Sequence, residues 1–257
     1  MADDNRKDVK VTLYWLEKSR AQRILWLLEE LKLPYELKRF KRDKDLLADP
    51  KLKEVHPLGR SPVISLEAPA LEKPLVLAES GFIVEYLTEH FGPALVPKRY
   101  RDGCEGAPGG ETESWLRNKY FVHYAEGSLM PLFLVQLVVN RIRGSPVPFF
   151  LKPITRGIAD KIEDSYLKRN IKLHLDFLED QLKTSPDGGR YICGDELSGA
   201  DIMMSFLVEA ASASKAVTEE SHPALGRYLA QLKQREAYKK AVDLIVELEG
   251  SCEVIPR

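Results

Sequence analysis

A chain of 257 residues is long for one compact domain and comfortable for two. Apolar residues make up 44% and charged residues 30%, enough for a sizeable core, and a net charge of -1 gives nucleic acid or an anionic membrane no support as the main partner. Cys104, Cys193 and Cys252 form no CxxC and no zinc-spaced pair, and their odd, sparse count fits a reducing compartment better than a disulfide framework.

The opening residues MADDNRKDVK are polar, so neither a secretory leader nor a transit peptide is expected. No run of about 20 apolar residues stands out, so no integral membrane segment is expected. Residues 9–15 (VKVTLYW) are β-branched and aromatic and predict a strand. A helix follows: Ile24, Leu25, Leu27, Leu28 and Leu31 recur at helical spacing, Ser19 stands where a cap belongs, and Pro34 lies beyond the end. Residues 35–40 (YELKRF) alternate as a second strand, completing a strand-helix-strand unit. Residues 41–56 are charged and predict irregular or weakly helical chain. The short apolar runs VISL (63–66) and LVLA (75–78), separated by turn-like residues, predict a hairpin, and Ser80 opens a helix ending near Gly92-Pro93.

Residues 94–110 include RDGCEGAPGG, a Gly-rich connector. Beyond it only helices are expected: 115–140, a break at GSPVP, then 150–182, 198–213 and 224–249. The division is therefore 9–93 as an α/β unit, 94–110 as a linker and 111–250 as an all-helical unit.

Several residues have two readings. The Ser19 hydroxyl caps a helix, or it donates to a substrate thiolate at a helix N-terminus, lowering a thiol pKa of about 8.5. Ser61-Pro62 is a plain turn before a strand, or a cis bond that turns the Ser61 backbone outward to pair with a peptide. Ser80 caps its helix, or with Glu79 it holds a carboxylate and an ammonium. Trp115, Tyr120, Phe121 and Tyr124 form core or line a pocket. SGAD (198–201) follows capping-box logic and reads as structural. His56, His123 and His174 form no spaced ligand set, so no metal site is expected.

Taken in this order, LYWLEKSRAQRILWLLEELKLPYE, HPLGRSPVI, LAESGFIVEYL and LSGADIMMSF resemble the glutathione transferase superfamily across nearly the whole chain. YAEGSLMPLF brings the resemblance closest to the Gtt-type fungal branch. The resemblance implies a thioredoxin-like domain that binds glutathione, followed by a C-terminal helical bundle domain carrying the electrophile site. Ser19 matches the serine that activates the thiol in theta-like classes. Tyr14 competes, because LYW resembles the strand end where mu-type enzymes keep a catalytic tyrosine. Arg60 and Ser61 match positions holding the glycine and cysteine portions of glutathione, and Glu79 and Ser80 match those holding its γ-glutamyl end. Tyr120 and Tyr124 are candidates for the electrophile site.

The implied activity is conjugation of the glutathione thiolate to apolar electrophiles, as in detoxification, by a cytoplasmic homodimer. Glutathione is a co-substrate and no cofactor is bound permanently. Peripheral association with the endoplasmic reticulum membrane is an alternative location. The alternative activities are glutathione-dependent peroxidase or disulfide reductase, and a non-catalytic binding or regulatory role. The long connector and the insert around GSPVPFFLKP depart from the family pattern, and the insert is a candidate cover for the electrophile site.

Overall fold

The computed structural model describes residues 8–252; the polar stretch 1–7 lies outside them. The chain begins with β1 (Lys10–Leu16), α1 (Ala21–Leu31), β2 (Tyr35–Phe40), the short α2 (Leu52–Val55), β3 (Val63–Glu67), β4 (Leu75–Ala78) and α3 (Ser80–Phe91). The strands form one sheet in the order β2-β1-β3-β4, with β1 and β2 parallel and the other pairs antiparallel. This is the expected thioredoxin-like arrangement. α1 stops at Lys32, whose left-handed φ of 52° lets its N–H close on Glu29, and Pro34 blocks continuation.

All remaining named elements are helical: α4 (Glu113–Tyr124), α5 (Met130–Arg143), α6 (Lys152–Ile162), α7 (Lys168–Lys183), α8 (Gly199–Ala213), α9 (Pro223–Gln234) and α10 (Glu236–Glu249). A π-helical turn, Ala125–Leu129, joins α4 to α5 without a break. The resulting 31-residue run, Glu113–Arg143, is long and apolar enough to cross a membrane, which single-run counting did not anticipate. It packs against α8 and α6 through residues such as Phe121, Val122, Leu129, Leu132 and Val139, while Leu116, Leu134 and Val138 are exposed.

The core runs through both parts. Val11, Leu13 and Trp15 project from one face of β1 into a layer with Ile24, Leu25 and Leu28 of α1 and Ile83 and Leu87 of α3. The outer side of α1 packs on α8 and α10. Alternate β1 residues Thr12 and Tyr14 face the other side of the sheet, beside Ser65 and Lys38.

Two helix starts rest on buried carboxylates. Asp201 accepts from the N–H groups of Ser198 (2.8 Å) and Ile192 (3.1 Å), the Ser198 hydroxyl and the Tyr228 hydroxyl, so the predicted capping box also ties α8 to α9. Glu179 of α7 caps α9 from a distance, accepting from the N–H groups of Ala224 (3.0 Å) and Leu225 (2.9 Å). The insert after α5 forms a hairpin tip. Phe149 is 83% exposed, and none of residues 144–153 lines the large cleft described below, so the insert does not cover it.

Candidate functional site

Strand register brings the segments that carry Ser19, Arg60, Ser61, Glu79 and Ser80 to one end of the sheet. Tyr14 of β1 pairs with Val63 of β3, and Val63 pairs with Ala78 of β4. The chain leaving β1 toward Ser19, the chain entering β3 through Ser61 and Pro62, and the chain leaving β4 through Glu79 and Ser80 therefore lie side by side. The Ser61-Pro62 bond is cis, and the Ser61 hydroxyl donates to the Tyr14 carbonyl at 3.2 Å. Pro62 needs no ladder donor at this strand start.

Glu79 holds φ 72°, a left-handed value uncommon for a residue with a side chain. Its carbonyl accepts from Ile83, which makes Glu79 the cap position of α3 and Ser80 the first helical residue. The capping reading of Ser80 is thereby corrected. Its buried hydroxyl has no hydrogen-bond partner among the described residues, while the Glu79 side chain is exposed at the same helix N-terminus. Arg60 is also exposed, with no acid partner among the described residues.

Ser19 lies two residues before α1 rather than at its cap position, which Arg20 takes. Its hydroxyl donates to the Leu16 carbonyl at 2.7 Å and accepts from the Ala21 N–H at 3.2 Å. The local capping use is therefore real, and donation to any ligand requires rotation away from Leu16. Ser19 lines a cavity of about 40 Å³ with Trp15, Gln22, Ile245 and Glu249, on the α10 side of the sheet. Tyr14 points the other way. Its hydroxyl is 3.3 Å from the Ser65 hydroxyl, and the Lys38 ammonium lies over its ring. The two candidates for thiol activation thus lie on opposite faces of β1.

Sequence reasoning missed the polar framework around α1. Arg20 and Arg23 both pair with Glu126, which stands in the π-helical turn within YAEGSLMPLF. Arg23 is buried and also donates to the Met203 carbonyl at 2.7 Å; burial lowers its pKa to about 10 despite Glu126. Gln22 donates to the buried Glu209 at 3.1 Å, and Tyr238 donates to the same carboxyl at 2.9 Å. The Arg20/Arg23 spacing marked one helix face, but their partner lies more than 100 residues away.

A cleft of about 1160 Å³ opens between α5, α7, α8 and α10, walled by residues including Phe133, Leu137, Ile171, Leu175 and Val242. Tyr120 and Tyr124 do not line it. Tyr124 is core, its hydroxyl 2.5 Å from His174 Nδ1, and burial holds that phenol far above its ordinary pKa. Tyr120 stacks on Tyr124 and is 52% exposed at the surface. Leu46 is on the cleft wall, and Arg42 donates to the Leu46 carbonyl at 2.9 Å and to the Lys18 carbonyl at 3.3 Å, next to Ser19. Among the described residues no three His, Cys, Asp or Glu side chains could share a metal ion.

A thioredoxin-like sheet, a helical domain with a large cleft, and a cis-proline beside a strained acidic turn define a class, and the comparisons agree. Residues 9–89 match the glutathione S-transferase N-terminal domain and residues 144–236 its C-terminal domain. The chain belongs to the glutathione S-transferase family. It is 35% identical to glutathione S-transferase 1 of Saccharomyces cerevisiae, over 89% of this chain and 92% of that one. It is 28% identical to glutathione S-transferase 3 of Schizosaccharomyces pombe, over 91% of this chain and 88% of that one. Among solved structures it resembles a glutathione S-transferase of Actinobacillus pleuropneumoniae, with TM-score 0.64 and 26% identity over 91% and 92% of the two chains. A glutathione transferase homolog from Lodderomyces elongisporus shares the fold, with TM-score 0.67 and 19% identity over 91% and 98%.

Proposed function

We propose that the protein conjugates the glutathione thiolate to apolar electrophiles. The observation that carries this reading is that the chain leaving β1 toward Ser19, the chain entering β3 through Ser61 and the chain leaving β4 through Glu79 and Ser80 lie side by side at one end of the sheet, in a protein that also has a large cleft among its helices. The free Ser80 hydroxyl and the α3 N-terminus suit the γ-glutamyl carboxylate, and the exposed Glu79 carboxylate suits its ammonium. The Ser61 backbone pairs with the cysteinyl portion and Arg60 receives the glycyl carboxylate. The thiol then lies at the start of α1, where the helix dipole and a rotated Ser19 hydroxyl favour the anion. The thiolate forms a carbon–sulfur bond to an acceptor held in the cleft, and the leaving group departs with its electron pair. We place the acceptor there rather than at Tyr120 and Tyr124.

The enzyme works as a homodimer in the cytoplasm. Exposed apolar residues on β4 and α3 (Val76, Phe82) and on α4 (Leu116, Tyr120) support a subunit contact, and free cysteines suit a reducing compartment. Calorimetry with glutathione, followed in the same sample by turnover of a chlorinated nitroaromatic, tests the reading. Binding with turnover is expected. Binding without turnover would move the activity to peroxide or disulfide acceptors, and no binding at millimolar glutathione would overturn it.

A further inference from the structure

Two buried polar side chains with hydrogen-bonding capacity to spare line the small cavity at the start of α1. One is Ser19. The other is Gln22, 8% exposed, whose backbone N–H donates to the Ser19 carbonyl at 3.3 Å. A glutamine amide carries two N–H donors and a carbonyl acceptor. One N–H goes to Glu209 Oε2 at 3.1 Å, while the second N–H and the carbonyl have no partner among the described residues. Trp15, also buried there, has already given its indole N–H to Glu249 at 3.2 Å. The carboxylates of Glu17 and Glu249 can only accept, and Lys18 and Ser251 are less buried members of the wall.

The other side of the amide is fixed by a chain of buried contacts. Glu209 of α8, 5% exposed, accepts from Gln22 on one oxygen and from the Tyr238 hydroxyl of α10 on the other, at 2.9 Å. Tyr238 packs edge-on against Trp26 of α1. Burial pushes the Glu209 carboxyl up, while Tyr238, Lys233 and Gln22 favour its charged form. With a donor on each oxygen the carboxyl has little freedom to turn, so the Gln22 amide is oriented before any ligand arrives.

We propose that the remaining Gln22 N–H is a second donor to the glutathione sulfur, beside Ser19, and that Glu209 is the residue that positions it. This rests on the reading that the thiol lies at the start of α1. The cavity is too small for the tripeptide and suits its thiol end. An anion accepts hydrogen bonds far better than its neutral acid, so each donor favours thiolate over thiol. The thiol proton leaves to water, and Gln22 stays neutral throughout. A donor already oriented needs no rearrangement when the charge forms. Because Glu209 and Tyr238 belong to the helical part, that part acts on the sulfur as well as on the acceptor.

The test reads the pKa of the bound glutathione thiol from thiolate absorbance against pH. Gln22→Met, which keeps the length of the side chain, should raise it by about 1, the worth of one hydrogen bond to a charged group. Glu209→Leu should raise it as well, whereas Glu209→Gln, which keeps an acceptor for the Gln22 amide, should not. The double variant Gln22→Met/Glu209→Leu should stand no higher than Gln22→Met alone. Loss of the Glu209 charge by itself would lower the thiol pKa equally in the Leu and Gln variants, and a packing role alone would leave it unmoved in both. Either result, or a rise in Glu209→Gln, overturns the positioning role. An unmoved pKa in Gln22→Met overturns the whole proposal, and this variant with Glu209→Gln decides the matter even if Glu209→Leu fails to fold. Binding and turnover by wild type with that pKa unmoved leave the transferase reading standing. Wild type that binds no glutathione overturns the two together.

Discussion

At the start of α1 one hydroxyl has two possible duties, and the geometry shows which it performs in the free protein. The Ser19 proton is given to Leu16, so thiol activation requires one rotation about its side chain. Ser19→Ala should raise the apparent pKa of the enzyme-bound glutathione thiol by about 1 or more, read from thiolate absorbance against pH. Tyr14→Phe should leave that pKa within a few tenths, because the phenol faces Ser65 across the sheet. A reversed result would make Tyr14 the activating residue. Sequence alone favoured Ser19, for its place at the helix start, but could not exclude Tyr14, because the direction of each side chain relative to the sheet is set by the strand pairing. The positive φ of Glu79 was likewise invisible, since it arises where β4 meets α3 and not from any local glycine.

Single helices show where sequence periodicity suffices and where it stops. α1, α3 and the capping box of α8 were legible because their signals are local: apolar spacing, a flanking proline, a hydroxyl and an acid three residues apart. Asp201→Ala should destabilise the protein by about 3–5 kcal/mol in denaturant titration, because it strands two backbone donors and the Tyr228 hydroxyl in the core. Ser198→Ala should cost only about 1 kcal/mol. The cap on α9 was not legible, because its carboxylate comes from α7. Burial disfavours the ionised form of Glu179, but the N–H groups of Ala224 and Leu225, with Lys183, outweigh it and hold its pKa below the ordinary 4.5. A depressed carboxyl contributes stability above its unfolded pKa and loses it as pH falls through the folded value. Glu179→Gln should therefore lower stability by about 1–2 kcal/mol at pH 7, with the difference from wild type closing below pH ~4. A gap that persists undiminished at acid pH would assign the effect to packing. The π-helical turn at 125–129 also escaped periodicity, since it inserts a residue into the ladder without interrupting the helix.

At the scale of the molecule, the order of elements was legible from one end to the other, whereas the contacts between the two parts were not. α1 is where those parts join. One side of it packs on the sheet and α3, and the other meets α8 and α10. Arg23 donates to Met203, Trp26 packs edge-on against Tyr238 at 5.4 Å, and Arg235 grips Glu30 at 2.6 Å. Beyond α1, the Trp15 indole donates to Glu249 near the end of α10. A helix buried against both parts cannot leave one without stripping the other of apolar cover. Heating should therefore give one calorimetric transition, with no state in which the sheet has melted and the bundle survives. Two resolved heat-absorption peaks would show that α1 can be surrendered by one partner alone. The same sharing implies that evolution has had to tune the two parts' thermal tolerance together, as though they were a single domain.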